Sequence, residues 1–345
     1  MKKKISVVLV VVMLLSASVA FATGEKEKAE TAGVEKHAFV FKNTGNPYGE
    51  KQMEGFKIGI TEQGYEAILR APDQPTAEAQ IQIVEQLIAQ RVASICITAN
   101  DYDALQPVMI KAKNAGIVVL SADSALNPAS RATHVNQADS EKIGRTLIQA
   151  AYDMTGGKGE IAILSATSQA SNQNLWIEWM KKELAENAAK YKDMPLVKVA
   201  YGDDLRDKSV SETEALLKTF PNLKCIIAPT TVGIAAAGKV ITDKGLIGKV
   251  KLTGLGLPSE MAEYINNGAC PYMFLWNPID VGYLSAYTAT ALKKGIITGK
   301  VGDTFSAGRL GKYTVVKASD GGTEILLGAP FKFDKENIDA WKTIY

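Results

Sequence analysis

LTGLGLPSEMAEYINNGACPYMFLWNPIDVGY, residues 252–283, is the stretch whose reading decides the fold. The apolar run at 250–255 reads as a buried strand, because it is short and continuous rather than alternating. Gly254, Gly256 and Pro258 interrupt it. A helix of about three turns follows and stops at Gly268. A second apolar strand, 271–276, ends abruptly in Trp276-Asn277-Pro278. Each strand delivers a loop at its C-terminal end, and in open α/β sheets that edge is where ligands bind. The second loop sets an indole beside an amide, a pairing suited to a sugar whose C–H face packs on the ring while its hydroxyls meet the amide. The competing reading makes Trp276 a packed core residue and Asn277 a turn former.

The same rhythm extends in both directions. Upstream, strands at 38–42, 66–71, 93–99 and 117–122 alternate with helices at 50–63, 76–90 and 103–114. The rhythm restarts with a helix at 140–154. Strands at 160–166, 196–201 and 224–228 then alternate with helices at 174–190, 207–220 and 232–244. A helix at 279–294 leads to tail strands at 313–317 and 324–327 and a short last helix. Repeated βα units of this length predict α/β lobes with parallel sheets, and two similar halves are visible.

The chain has 345 residues, 46% hydrophobic and 22% charged, which suits a soluble protein of two ordinary domains. A net charge of +2 gives no reason to expect nucleic acid as a partner. Lys2, Lys3 and Lys4, the apolar run 5–15 and the small residues ending in Ala20-Phe21-Ala22 form a secretory signal at 1–22, too short to span a bilayer comfortably. Its removal leaves 36 basic residues against 37 acidic ones. No cysteine near the cleavage region offers a lipid anchor, so a free periplasmic protein is expected. Residues 23–36 read as a flexible lead-in. The three cysteines, Cys96, Cys225 and Cys270, are expected to be buried free thiols. With only His37 and His134, no metal site is expected, and no cofactor either.

The residues just after the strands are mostly hydroxyls and amides. Lys42 and Asn43 follow the first strand, Asn100 and Asp101 the third, and Asp123 and Ser124 the fourth. In the second half, Asn172 and Gln173 follow one strand and Pro229, Thr230 and Thr231 another. Carboxylates accept from adjacent hydroxyls, amides donate and accept, and a lysine donates to ring oxygens, so the set fits a neutral polyol. Singly, each also reads as a cap or turn residue. Asp101 and Asp123 could be read as an acid/base pair, but nothing beside them would drive their pKa values apart. There is no G-x-S-x-G elbow, and Gly156, Gly157 and Gly159 precede a strand instead of following one, so no enzyme is expected.

The runs Tyr201-Gly202-Asp203-Asp204-Leu205, Ala228-Pro229-Thr230-Thr231-Val232-Gly233, Thr253-Gly254-Leu255-Gly256-Leu257-Pro258-Ser259-Glu260-Met261 and Trp276-Asn277-Pro278-Ile279-Asp280 resemble the rhamnose-binding proteins of bacterial ABC importers, a likeness running from about Ala38 to the C-terminus. The resemblance implies a type I periplasmic binding protein, with two α/β lobes joined by three crossovers. It implies one lobe from 37–138 with 277–303, the other from 139–276 with 304–345, and a monosaccharide in the cleft between them. It also implies a monomer that delivers its sugar to ABC transporter permease subunits. For a 6-deoxy sugar such as rhamnose, Trp276, Leu257 and Trp176 would meet the methyl group. In autoinducer-2-binding relatives the matching ligand positions are Lys42, Asp123, Gln173 and Pro229. Asn172 and Thr231 depart from that pattern, where an aspartate and an alanine would stand. The turn Leu255-Gly256-Leu257 lacks the aspartate of ribose- and galactose-binding relatives. A sugar-responsive repressor would need a DNA-binding helix pair where the signal stands, while a sensor for a membrane receptor stays open as an alternative role.

Overall fold

Strand β1 (Lys36–Val40) is buried at every residue after the first, as expected of a strand covered on both faces. The computed structural model describes residues 33–345, so the expected signal at 1–22 and lead-in residues 23–32 lie outside the described residues. In chain order β1 is followed by α1 (Pro47–Thr61), β2 (Glu66–Arg70), α2 (Ala77–Ala89), β3 (Ser94–Ile97), α3 (Gln106–Asn114), β4 (Val118–Ala122) and β5 (His134–Asn136). These strands lie in the order β2-β1-β3-β4-β5, all parallel.

The chain then crosses to a second lobe: α4 (Ser140–Thr155), β6 (Glu160–Ser165), α5 (Ser171–Glu186), α6 (Ala188–Tyr191), β7 (Leu196–Tyr201), α7 (Arg206–Thr219), β8 (Leu223–Ala228), α8 (Thr231–Asp243), β9 (Lys251–Gly254), α9 (Pro258–Asn266) and β10 (Tyr272–Leu275). Asp139 marks the entry to α4 by accepting from Lys142 N at 3.0 Å, and Gly156 closes it with φ 65°. The second sheet runs β7-β6-β8-β9, and a parallel bridge between Leu255 and Phe274 continues it to β10. Both sheets therefore have the same strand order, reversing direction between β1 and β3 in one and between β6 and β8 in the other. Crevices for ligands form at such reversals.

From β10 the chain returns to the first lobe through α10 (Pro278–Lys293), whose contact with α1 is unusually close. A methyl added at Gly282 would stand 1.9 Å from Gln52 O, and one at Gly55 would stand 1.9 Å from Ile279 O. Only glycine lets the two backbones meet there, and both helices begin at the edge where the lobes join.

The tail corrects the sequence reading. β11 (Thr304–Ser306) and β12 (Lys312–Thr314) form a hairpin, and β13 (Val316–Lys317) turns back antiparallel on β14 (Thr323–Leu326). β14 pairs in parallel with β5, Glu324 opposite His134, so this part of 304–345 belongs to the first sheet and not to the second lobe. The physical reason is that β5 has an open edge, which β14 fills. The chain returns to the second lobe only afterwards, where β15 (Phe331–Asp334) pairs antiparallel with β10 and α11 (Ile338–Trp341) ends the fold. The three crossings thus fall at 137–139, 276–277 and 327–330. All three cysteines are buried and free. Among the described residues no helix is long and apolar enough to cross a membrane.

Candidate binding site

The C-terminal ends of the strands in both sheets converge on one cavity. From the first lobe it is lined by Phe41, Lys42, Asn46, Tyr48 and Asp123. From the second it is lined by Asn172, Gln173, Trp176, Asp204, Pro229, Thr230, Thr231, Leu255, Leu275 and Trp276. The cavity is small, about 40 Å³ in volume.

The backbone carrying Lys42 is held by buried amides. Gln80 Nε2 donates to Phe41 O at 3.0 Å and to Thr98 O at 2.8 Å, while Asn100 Nδ2 donates to Lys42 O at 2.8 Å. Lys42 Nζ itself has one long hydrogen bond, 3.5 Å to Asn172 Oδ1, and no ion pair among the described residues. Asn172 reaches across from the start of α5: its Nδ2 donates to Asp123 Oδ1 at 3.0 Å, and its Oδ1 accepts from Gln173 N at 2.8 Å. Gln173 Oε1 accepts from Ser165 Oγ and Ala166 N, each at 2.7 Å, and the residue lines the cavity. Ser171 Oγ donates to Ala125 O at 3.1 Å and adds a further link between the lobes.

Burial raises the Asp123 carboxyl to about 6, against the pull of the Lys42 ammonium and the Asn172 hydrogen bond, with the Asp204 charge pushing further up. Asp204 is raised too, by burial, although Lys42 and Thr230 oppose it. It keeps some accessible surface while lying deep among protein atoms, as a group facing an internal cavity does. Tyr48 is buried, and its phenol is pushed well above its ordinary range by burial and by the charge of Asp123. Trp276 Nε1 donates to Tyr48 OH at 2.7 Å, and the ring meets Trp176 edge-on at 5.8 Å. Trp176 is 2% exposed and its Nε1 has no partner among the described residues, a donor costly to bury unless a ligand takes it.

Of the residues expected from the sequence, Lys42, Asp123, Asn172, Gln173, Trp176, Pro229, Thr230, Thr231 and Trp276 come together at the cavity. Trp276 is buried, 5% exposed, as its packing reading expects, and it also forms part of the wall. Five do not reach it. Asn43 and Ser124 are buried beside cavity residues. Asn100 is a strut under Lys42. Leu257 is a buried residue at the start of α9. Asn277 caps α10, accepting from Ile279 N at 2.9 Å, so its turn reading holds. Asp204, Tyr48, Asn46, Phe41, Leu255 and Leu275 complete the wall and were not singled out. Asp101, the imagined partner of Asp123 in acid/base chemistry, instead caps a turn through Asp103 N and Ala104 N.

A family model for the periplasmic binding protein domain matches residues 37–296. The chain is 49% identical to an ABC transporter solute-binding protein from Clostridium phytofermentas solved with bound L-rhamnose; the match covers 90% of this chain and 99% of that one at a TM-score of 0.88. LsrB from Clostridium saccharobutylicum, solved with AI-2 (autoinducer-2), shares the fold at a TM-score of 0.83 with 22% identity, over 89% of this chain and 99% of that one. The D-ribose/D-allose-binding protein of Pseudomonas aeruginosa is 27% identical over 262 residues, which are 74% of this chain and 81% of that protein. With the two lobes, three crossings and an interlobe cavity already in place, the chain belongs to the periplasmic binding protein family.

Proposed function

We propose that this protein is the periplasmic substrate-binding component of an ABC sugar importer, holding L-rhamnose or a closely similar monosaccharide between its lobes. As a monomer it hands the sugar to the permease subunits and does no chemistry on it. The observation that carries the reading is the likeness at 49% identity, over nearly the whole length, to a solute-binding protein with L-rhamnose bound. The cavity supports it physically. Lys42, Asp123, Asp204 and the Trp176 indole all have hydrogen-bonding capacity that the protein leaves unspent. Phe41, Leu255, Leu275 and the two tryptophans give apolar wall for a deoxy sugar's methyl group. Leu255, two residues before the Leu257 expected at that contact, is the one that lines the cavity. Autoinducer-2 is disfavoured because both departures from its pattern, Asn172 and Thr231, line the cavity, and sites built around particular hydroxyls discriminate strongly.

The test is a thermal-shift panel of monosaccharides and autoinducer-2 on the mature protein, followed by calorimetry. L-rhamnose should bind one to one with a dissociation constant around micromolar, about −8 kcal/mol. No response to rhamnose together with tight binding of ribose or autoinducer-2 would overturn the ligand assignment.

A further inference from the structure

We infer that Asp204 is the second sugar-binding carboxylate of the cleft and that it restricts the site to uncharged ligands, an inference that rests on the reading of the cavity as a monosaccharide site. Among the described residues, non-glycine positions with left-handed backbone are Arg91, Asp123, Asp203 and Asp204. Both carboxylates of the cavity therefore sit on left-handed backbone, at φ 62° and 53°, a conformation uncommon outside glycine that fixes the direction each side chain leaves the loop. Each lobe contributes one of them, Asp123 after β4 and Asp204 after β7. They are also held in the same way. Asp123 Oδ1 takes a hydrogen from Asn172 and Asp204 Oδ1 takes one from Thr230 Oγ1, while the second oxygen of each accepts nothing from the protein among the described residues. Two pinned, half-used carboxylates on opposite lobes form a pair of acceptors for ligand hydroxyls. By contrast Asp203, in the same turn, pairs with Lys208 and does not line the cavity.

Charge sets the selectivity. Lys42 is the one cation lining the cavity, against two carboxylates. A sugar acid would add a third negative charge to a cavity whose two carboxylates already outnumber its one ammonium, so part of the buried charge would go unmatched. The wider groove of about 1310 Å³ that shares Asp123 and Asn172 with the cavity reinforces this, carrying eight carboxylates to three lysines and arginines.

The experiment is calorimetry with L-rhamnose and L-rhamnonate on the wild type, Asp204→Asn and the control Asp203→Asn. Asparagine tolerates left-handed backbone and keeps the oxygen that Thr230 bonds, so the fold should persist, as melting of the ligand-free proteins would verify. Asp204→Asn should weaken rhamnose at least about tenfold and narrow the preference over rhamnonate, while Asp203→Asn leaves both unchanged. Equal rhamnose affinity in wild type and Asp204→Asn, or equal weakening by Asp203→Asn, overturns the inference. If Asp204→Asn does not fold, the wild type decides: its preference for rhamnose over rhamnonate should be at least about a hundredfold, and a smaller one is a refutation. A wild type that binds no monosaccharide at all defeats the parent reading, and this inference with it.

Discussion

Acid should loosen the grip of the cleft on its ligand, and the size of the effect follows from Asp123. In the ligand-free protein this carboxyl titrates near 6, because burial outweighs the help of Lys42 and Asn172. Its free oxygen is placed to accept a sugar hydroxyl, and such a bond favours the ionised form, so the bound protein holds the proton less tightly than the free one. Only the ionised fraction is competent to bind, and the apparent dissociation constant rises as that fraction falls. Between pH 7.5 and pH 5 the fraction drops to about a tenth, which predicts affinity weaker by about tenfold, or about 1.4 kcal/mol. Asp204, raised in the same direction, adds to the slope. The assay is calorimetry at constant ionic strength from pH 7.5 to 5, repeated in buffers of different ionisation heat, so that the proton released on binding near pH 5 is measured directly. Asp123→Asn should bind more weakly at neutral pH and show a flatter profile. Stability of the ligand-free protein should move the other way. An acid whose folded pKa lies above its unfolded value binds its proton more tightly in the native state, so this group's contribution improves as pH falls from about 6 to about 4. A dissociation constant that stays constant down to pH 5, or proton uptake on binding, would refute the reasoning.

Asn172→Ala removes the side chain that touches both Lys42 and Asp123 from across the cleft. It should weaken rhamnose binding by at least about 1 kcal/mol, read by calorimetry, and unchanged affinity would show that the cavity is not the site. Gly282→Ala places a methyl against the Gln52 carbonyl and forces α10 away from α1. It should cost about 2 kcal/mol or more in urea unfolding.

Much of the architecture was legible because the short apolar strands and the glycine stops are local signals. The run Ser94-Ile95-Cys96-Ile97 is buried throughout, and Gly116 and Gly156 both take the left-handed backbone that ends a helix. β5 was missed because His134-Val135-Asn136 is three residues long and mostly polar. The place of β14 was missed because its pairing with β5 spans more than half the chain, and its Glu324 bonds Asn136 188 residues away. No local pattern encodes which sheet a tail strand completes.

The site shows the same limit. Strand-end loops named the right neighbourhoods, but neighbours within a loop fare differently: Lys42 and Asp123 line the cavity while the adjoining Asn43 and Ser124 are buried away from it. Asp204 was quoted only within a resembling run, since Asp203-Asp204 after a strand looks like an ordinary turn. The signal that marks it, left-handed backbone at a residue that is not glycine, exists only in three dimensions.

A crystal structure grown with L-rhamnose tests the interlobe pocket most directly. The expected result is one sugar ring between Asp123 and Asp204, with Lys42 and Trp176 Nε1 donating to its oxygens. A sugar bound elsewhere, or a cleft that excludes it while both carboxylates keep only their protein partners, would contradict the proposal.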